Sequence, residues 1–429
     1  MDQPYTRIKG GVCAAQGFFG SAVSCGIKNP ESDRLDLGLI YSEHPCISRG
    51  AFTQNRVKAA PLQVTQLNLK TTHPRAIITN SGNANACTGP IGISDAKTMA
   101  KSTAKLLGIK QREVAVCSTG VIGLPLPMAR INPHYEDLVR KLGPKNGGDV
   151  ARAIITSDTH EKEFAISFPI GDQRIRIGGC AKGAGMINPN MATMLCYITT
   201  DANIAEASLE RAFKGALEHT FNRITIDGDT STNDTVLVLA NGAAGNKTIR
   251  RRSKECQIFE HALRFVMNKL AKTIVRDGER VTKFVTVKVK NARTKPDAKK
   301  VAQAVANSQL VKSSWNGNDP NWGRIIHAVG YSGALIKEEI IDIFYESKPA
   351  CEGGLQGKTN PEVLKNIVSK PSFTITIDLN QGKAEHYIYT SDLSPEYVDF
   401  NRSEYAYLSI VQRPGQSSED YLSVLRADR

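Results

Sequence analysis

No apolar run in this chain approaches the roughly 20 residues that a membrane-spanning helix needs. Met1 to Gly20 mixes Asp2, Arg7 and Lys9 with glycines and lacks the apolar core of a secretory signal. No C-x-x-C pair occurs among the cysteines at 13, 25, 46, 87, 117, 180, 196, 256 and 351. That spacing suits neither a zinc site nor a secreted disulfide framework, and predicts small buried thiols. Together these absences predict a cytoplasmic chain with no membrane partner. The eight histidines are scattered, so neither a histidine metal site nor a Ser-His triad has sequence support. H-E-x-x-H and G-x-S-x-G are absent. Gly353 to Thr359 resembles a P-loop, but Glu352 stands where that loop needs its first glycine. Asn188 breaks a G-x-G-x-x-G that Gly183 and Gly185 would begin. There is no repeat with a period of about 20–50 residues.

What is present suits a water-exposed globular fold. Hydrophobic residues make up 41% and charged residues 23% of 429, enough for a large core in two or three lobes. The net charge of +13 concentrates in Lys247 to Lys254 and Lys288 to Lys300. Aromatics are not interleaved with it, so no nucleic-acid partner is expected. It reads as a solvated face, or as attraction for an anionic substrate such as a coenzyme or an acidic amino acid.

Short apolar runs predict strands at Leu35–Tyr41, Ala76–Thr79, Val114–Cys117, Phe164–Phe168 and Phe284–Val289. Helical spacing predicts Ala96–Leu107 (capped by Asp95), Ile204–His219, Phe259–Ile274 and Pro296–Ala306. Gly143–Gly148 and Glu346–Pro361 read as linkers. Strands and helices alternate without a strict βαβ rhythm, which predicts α+β layers.

One segment carries chemistry. Lys182 to Cys196 reads KGAGMINPNMATMLC. Gly183, Ala184 and Gly185 permit close backbone approach, Asn188 to Asn190 turn the chain, and Met194 to Thr199 reads as a buried strand. Thr193 therefore stands at a loop-to-strand junction with a fixed hydroxyl. A strained Ala192–Thr193 peptide would let that hydroxyl attack the preceding carbonyl. An N-to-O acyl shift and hydrolysis would then free Thr193 as a new N-terminus. Its α-amine, with an ordinary pKa of about 7.7–8.0, could act as general base for its own hydroxyl. One residue would supply base and nucleophile. The plainer reading, a glycine-rich turn into a strand bearing an ordinary threonine, stays open on these residues alone.

KGAGMINPNMATML closely resembles the autoprocessing segment of the ornithine acetyltransferases, the glutamate N-acetyltransferase family of arginine biosynthesis. Thr53–Pro61 (TQNRVKAAP), Thr79–Gly89 (TNSGNANACTG), Ser118–Gly123 (STGVIG), Asp227–Thr235 (DGDTSTNDT) and Asn318–Ile325 (NDPNWGRI) resemble that family in its order. The resemblance implies an αββα sandwich of the N-terminal-nucleophile type. It implies cleavage into chains 1–192 and 193–429, assembled as a heterotetramer of two of each, with a smaller C-terminal lobe from about 285. Thr193 would be the nucleophile, and Thr119 and Gly120 the oxyanion hole. Thr156, Lys182, Thr193, Glu279 and Asn401 would contact substrate. Lys182 could hold a carboxylate or be a surface lysine; Glu279 could bind the amino group of an ornithine side chain. The implied reaction is a ping-pong transfer of acetyl from N2-acetylornithine to glutamate through an acetyl ester on Thr193. Acetyl-CoA is a further donor in some members, and no separate cofactor or metal is implied.

The chain also departs from the family. Arg280 and Val281 follow Glu279 where a small residue is usual, putting a cation where it could alter specificity or pair with Glu279. Tyr389–Leu393 replaces a W-G-C-D-L segment, and Ala406 stands where a terminal Thr or Ser often contacts substrate. Those changes leave two alternatives: a self-processed amidase or aminopeptidase using water as acceptor, and a non-catalytic relative.

Overall fold

The structure is a computed structural model and describes residues 5–188 and 194–402. Ala192 and Thr193, the expected cleavage site and nucleophile, lie outside the described residues, as does Ala406.

In chain order the first lobe comprises β1 (Thr6–Ile8), β2 (Phe18–Val23), β3 (Leu37–Ser42), β4 (Ile47–Phe52), α1 (Ala60–Thr71), β5 (Ala76–Asn83) and α2 (Gly89–Leu107). It continues through β6 (Val114–Val121), α3 (Met128–Ile131), α4 (Tyr135–Arg140), α5 (Gly147–Ala153), β7 (Lys162–Ile170) and β8 (Gln173–Lys182). Then come β9 (Leu195–Thr200), α6 (Glu206–Glu218), β10 (Thr235–Ala240) and α7 (Lys254–Arg276). Two sheets stack: β1-β7-β8-β9-β10-β4 and β2-β3-β5-β6.

The parallel pair β9–β10 lies inside the first sheet, flanked by β8 and β4. Every residue of LCYITT and TVLVLA is buried. Because successive side chains point to opposite faces, Leu195, Tyr197, Leu237 and Leu239 face the second sheet. Cys196, Ile198, Val236 and Val238 face α6 and α7. α2 and α4 cover the far side of the second sheet through Met99, Ala100 and Leu138. The four layers are thus helices, sheet, sheet, helices: the expected αββα sandwich. Between the sheets, Tyr197 Oη and Thr79 Oγ1 form a buried 2.8 Å hydrogen bond.

The remaining elements are β11 (Phe284–Ala292), α8 (Lys295–Asn307), α9 (Gln309–Asn316), α10 (Trp322–Gly330), β12 (Asp342–Tyr345), β13 (Lys348–Glu352), β14 (Leu355–Gln356), α11 (Pro361–Val368), β15 (Ser372–Asp378), β16 (Ala384–Ser391) and α12 (Pro395–Arg402). Their strands form a third sheet, β14-β13-β12-β15-β11-β16, around a core of its own that includes Trp315, Tyr345 and Phe373.

Two sequence expectations are corrected. α2 begins at Gly89, so Asp95 lies inside it and caps nothing. Gly89, Pro90 and Gly92 look like turn formers, yet proline is favoured in a first helical turn. Gly92 is also required there, since a Cβ would come within 1.9 Å of Thr88 Oγ1. Within Glu346–Pro361, expected to be a loop, β13 and β14 form a hairpin. Ala350 and Cys351 are fully buried there, and Gly353 and Gly354, both at positive φ, make the turn.

Tyr197→Phe deletes the partner of a buried hydroxyl without changing shape. It should lower unfolding free energy by about 1–2 kcal/mol, read by urea denaturation, with little change in the fold.

Candidate active site

The stacked sheets bring distant segments to one cleft of about 660 Å³. Its lining includes Thr119, Gly120, Thr156, Lys182, Glu279 and Asn401, so every expected site residue among the described ones meets there. Thr119 and Gly120 close β6, where that strand runs beside Ser81 and Gly82 of β5. Gly120 has φ +135, and a Cβ would lie 2.2 Å from the Gly82 carbonyl carbon. Only glycine lets the two strands approach so closely. β8 ends at Lys182, which pairs in register with Leu195 of β9. The chain between these strands therefore leaves from the cleft at Lys182, and β9 starts directly opposite that residue at Leu195. Met194, covalently bonded to Thr193, is buried; its N–H donates to Asp234 Oδ1 at 3.1 Å, and its carbonyl accepts from Thr235 N at 3.0 Å.

Lys182 is 4% exposed, so it is not a surface lysine. Its ammonium donates to Thr156 Oγ1 at 2.7 Å and Thr119 Oγ1 at 3.3 Å. Behind it stands Asp158, which sequence reasoning passed over. The Asp158 carboxylate lies 4.0 Å from Lys182 Nζ and accepts from Lys162 Nζ at 2.6 Å. It also accepts the N–H of Gly183 at 2.7 Å and of Thr156 at 2.9 Å. Lys162 bridges onward to Asp277. Burial opposes ionisation of Asp158, but the Lys182 and Lys162 ammoniums and the Gly183 N–H outweigh it and hold the carboxyl at about 2. Burial lowers the Lys182 pKa, an effect that Asp158 partly reverses.

Glu279 follows α7. Its carboxylate accepts from Ser157 Oγ at 2.6 Å and Asn401 Nδ2 at 3.0 Å. A Cβ on Gly185 would sit 2.5 Å from that carboxylate, so Gly185 makes room for it. With about four lone-pair sites, the carboxylate can still accept a cation from the cleft. Arg280 does not pair with Glu279 among the described residues; its guanidinium lies over the Phe400 ring, 5.0 Å from the centroid.

Two residues of DGDTSTNDT escaped sequence reasoning. Asn233 donates to the carbonyls of Ala84 at 2.7 Å and Ser118 at 2.8 Å, joining the start of β10 to the second sheet beside Thr119. Asp227 accepts the N–H of Met186 and, at 2.8 Å, of Ile187, holding the turn after Gly185; burial pushes its carboxyl up to about 6. The available signal was a polar stretch, Asp227 to Thr235, between apolar segments, whose burial only the tertiary fold reveals. Among the described residues no His, Cys, Asp and Glu cluster could hold a metal, and no helix is long and apolar enough to cross a membrane.

The ArgJ family model matches residues 20–406. The chain is 46% identical over 387 residues to the arginine biosynthesis bifunctional protein ArgJ of Geobacter sulfurreducens, covering 90% of this chain and 98% of that protein. It is 43% identical over 400 residues to the protein of the same name from Caldanaerobacter subterraneus, covering 92% and 98%. A solved ornithine acetyltransferase from Mycobacterium tuberculosis, complexed with ornithine, shares 39% identity at a TM-score of 0.40, covering 43% of this chain and 98% of that chain.

Asp158→Asn leaves Lys162 and Lys182 with less compensating charge in a buried site. It should cost about 3 kcal/mol of stability at neutral pH. The pH sign follows from the depressed carboxyl. Its contribution is complete above the ordinary aspartate value of about 4 and is lost as pH falls toward about 2. Urea titrations of wild type and variant should therefore converge on acidification across that window.

Proposed function

The chain belongs to the ArgJ family, and from that membership we propose how it works: it is an acetyltransferase of arginine biosynthesis that cuts itself before Thr193 and carries the acetyl group on that threonine. The convergence of Thr119, Gly120, Thr156, Lys182, Glu279 and Asn401 on one cleft, with Lys182 paired to Leu195 two residues after Thr193, is the observation that carries this reading.

Self-cleavage begins when Thr193 Oγ attacks the Ala192 carbonyl carbon. The hydroxyl proton passes to the Thr193 nitrogen as the C–N bond breaks, leaving an ester. Water hydrolyses the ester to give chains 1–192 and 193–429, and restores the hydroxyl. The freed α-amine then takes the Oγ proton as Oγ attacks the acetyl carbonyl of N2-acetylornithine. Thr119 Oγ1 and the Gly120 N–H donate to the oxyanion, a type of interaction commonly worth about 2.7–4 kcal/mol per donor. The nearby Lys182 ammonium reinforces them and is within reach of a substrate carboxylate. Collapse breaks the acetyl C–N bond, and the α-ammonium protonates the departing ornithine nitrogen. Glu279 takes the ornithine side-chain ammonium, with Asn401 at its flank. The amine of glutamate attacks the acetyl ester, its proton passes to the α-amine, and Thr193 Oγ regains a proton as it leaves. Acetyl-CoA would enter as an alternative donor to the same threonine. The cleaved chains assemble as two of each, in the cytoplasm.

Intact mass under denaturing conditions tests the reading. Wild type should give two chains meeting at Ala192/Thr193, and Thr193→Ala a single chain of 46.7 kDa. With N2-acetylornithine, the processed protein should acetylate glutamate. Free acetate in place of N-acetylglutamate would indicate water as the acceptor. One uncut chain from both proteins would overturn the mechanism.

A further inference from the structure

α12 carries Tyr397, Phe400 and Asn401 into the lining of the cleft, yet none of its residues is buried. Ordinary core packing therefore does not hold it. Among the described residues, four side-chain contacts tie it to the cleft wall. Tyr397 Oη donates to Asp227 Oδ2 at 3.4 Å, and Asn401 Nδ2 to Glu279 Oε2 at 3.0 Å. The other two converge on a single residue. Ser394 Oγ, just before α12, donates to the Arg280 carbonyl at 2.7 Å. At the far end of the helix the Phe400 ring receives the Arg280 guanidinium, within the usual reach of a cation–π contact.

Arg280 thus grips both ends of α12. It does so from φ +55, a left-handed conformation uncommon for a residue with a side chain. A glycine would adopt this conformation with no steric conflict. Arg280 also follows Glu279 directly, so the residue that accepts Asn401 and the residue that stacks on Phe400 are neighbours in the chain. Movement of α12 away from Arg280 would withdraw Asn401 from Glu279.

We propose that Arg280 is a positioning residue that clamps α12 over the substrate cleft through Phe400 and Ser394, setting the side of the pocket that receives the cationic side chain of the donor amino acid. The clamp rests on the acetyltransferase reading for its substrate, but its geometry can be tested without activity. Arg280 touches no reacting atom. It acts through the placement of Asn401 and Phe400, so it should govern donor affinity and leave the chemical step alone.

The test uses full-length wild type, Arg280→Gly, Phe400→Leu and the double variant. Arg280→Gly should raise KM for N2-acetylornithine by about tenfold with kcat within about twofold, because the binding lost is made equally in the ground and transition states. KM for glutamate should stay near the wild-type value. The melting temperature should hold or rise, since glycine suits the left-handed backbone. Amide hydrogen exchange across 395–402 should quicken in Arg280→Gly. The double variant should raise KM no further than the larger single effect, as two halves of one contact must. Unchanged KM together with unchanged exchange in Arg280→Gly would overturn the clamp, and so would independent, multiplicative effects in the double variant. If Phe400→Leu does not fold, Arg280→Gly alone decides. If wild type moves no acetyl group, the acetyltransferase reading fails, and the exchange measurement still decides whether Arg280 holds α12.

Discussion

The cleft depends on a carboxylate that never meets the solvent. Asp158 lies between two lysines whose side chains are 0% and 5% exposed. Placed together in so dry a space, two ammoniums would repel each other. Asp158, with Asp277 behind Lys162, makes both charges tolerable. The same carboxylate fastens the backbone at Thr156 and Gly183. Consequently the loop after α5 and the end of β8 are fixed to one another by a single group, and Lys162 ties the segment after α7 to it through Asp277. Each of them supplies part of the cleft: Thr156 and Ser157 from the first, Lys182 from the second, Glu279 from the third.

Around that anchor, each sheet contributes the end of a strand. The first brings Lys182 and Asn233; the second brings Thr119 and Gly120. Asn233 bonds across to the Ser118 and Ala84 carbonyls, so the edge where the sheets meet is joined by hydrogen bonds as well as apolar packing. The close contact between Gly82 and Gly120 then sets how deeply β6 enters the cleft. A site assembled from strand ends in this way has little freedom to rearrange, which is what orientation-dependent chemistry requires. α12 is the exception: it borders the same cleft, yet none of its residues is buried.

The parts legible in the sequence were those with a strong local signal. Phe259–Ile274 shows a helical period and lies inside α7; the apolar run after Thr193 became β9. Thr119, Gly120, Lys182 and Glu279 were singled out because each sits in a segment resembling a known family, and all four line the one cleft. Other features carried no local signal. The first turn of α2 was hidden because Gly89, Pro90 and Gly92 suit a turn as well as a helix start. β13 and β14 were hidden by the glycines that turn between them. Asp158 looks like any aspartate in a polar loop; its burial depends on Lys162, Lys182 and Asp277, which only the fold assembles. Asn233 and Asp227 belong to a stretch that reads as exposed until two sheets close over it. Arg280 could be noticed as a departure, but its partner Phe400 is 120 positions away and lies on a helix with no core-facing side.

The pairing of β8 with β9 has a consequence for heredity within the molecule. From Lys182–Leu195 to Ile177–Thr200 the two strands are joined residue by residue. β9 is flanked on its other side by β10, and the Met194 amide is held by Asp234. A backbone break between β8 and β9 would remove the covalent link yet leave every rung of this ladder in place. The resulting halves could part only by tearing a central strand out of its sheet, an event equivalent to global unfolding. Each half would therefore keep for life the partner with which it was translated. A mixture of two variants would not shuffle its halves, and a defect in one half could not be rescued by supplying a sound copy of it later.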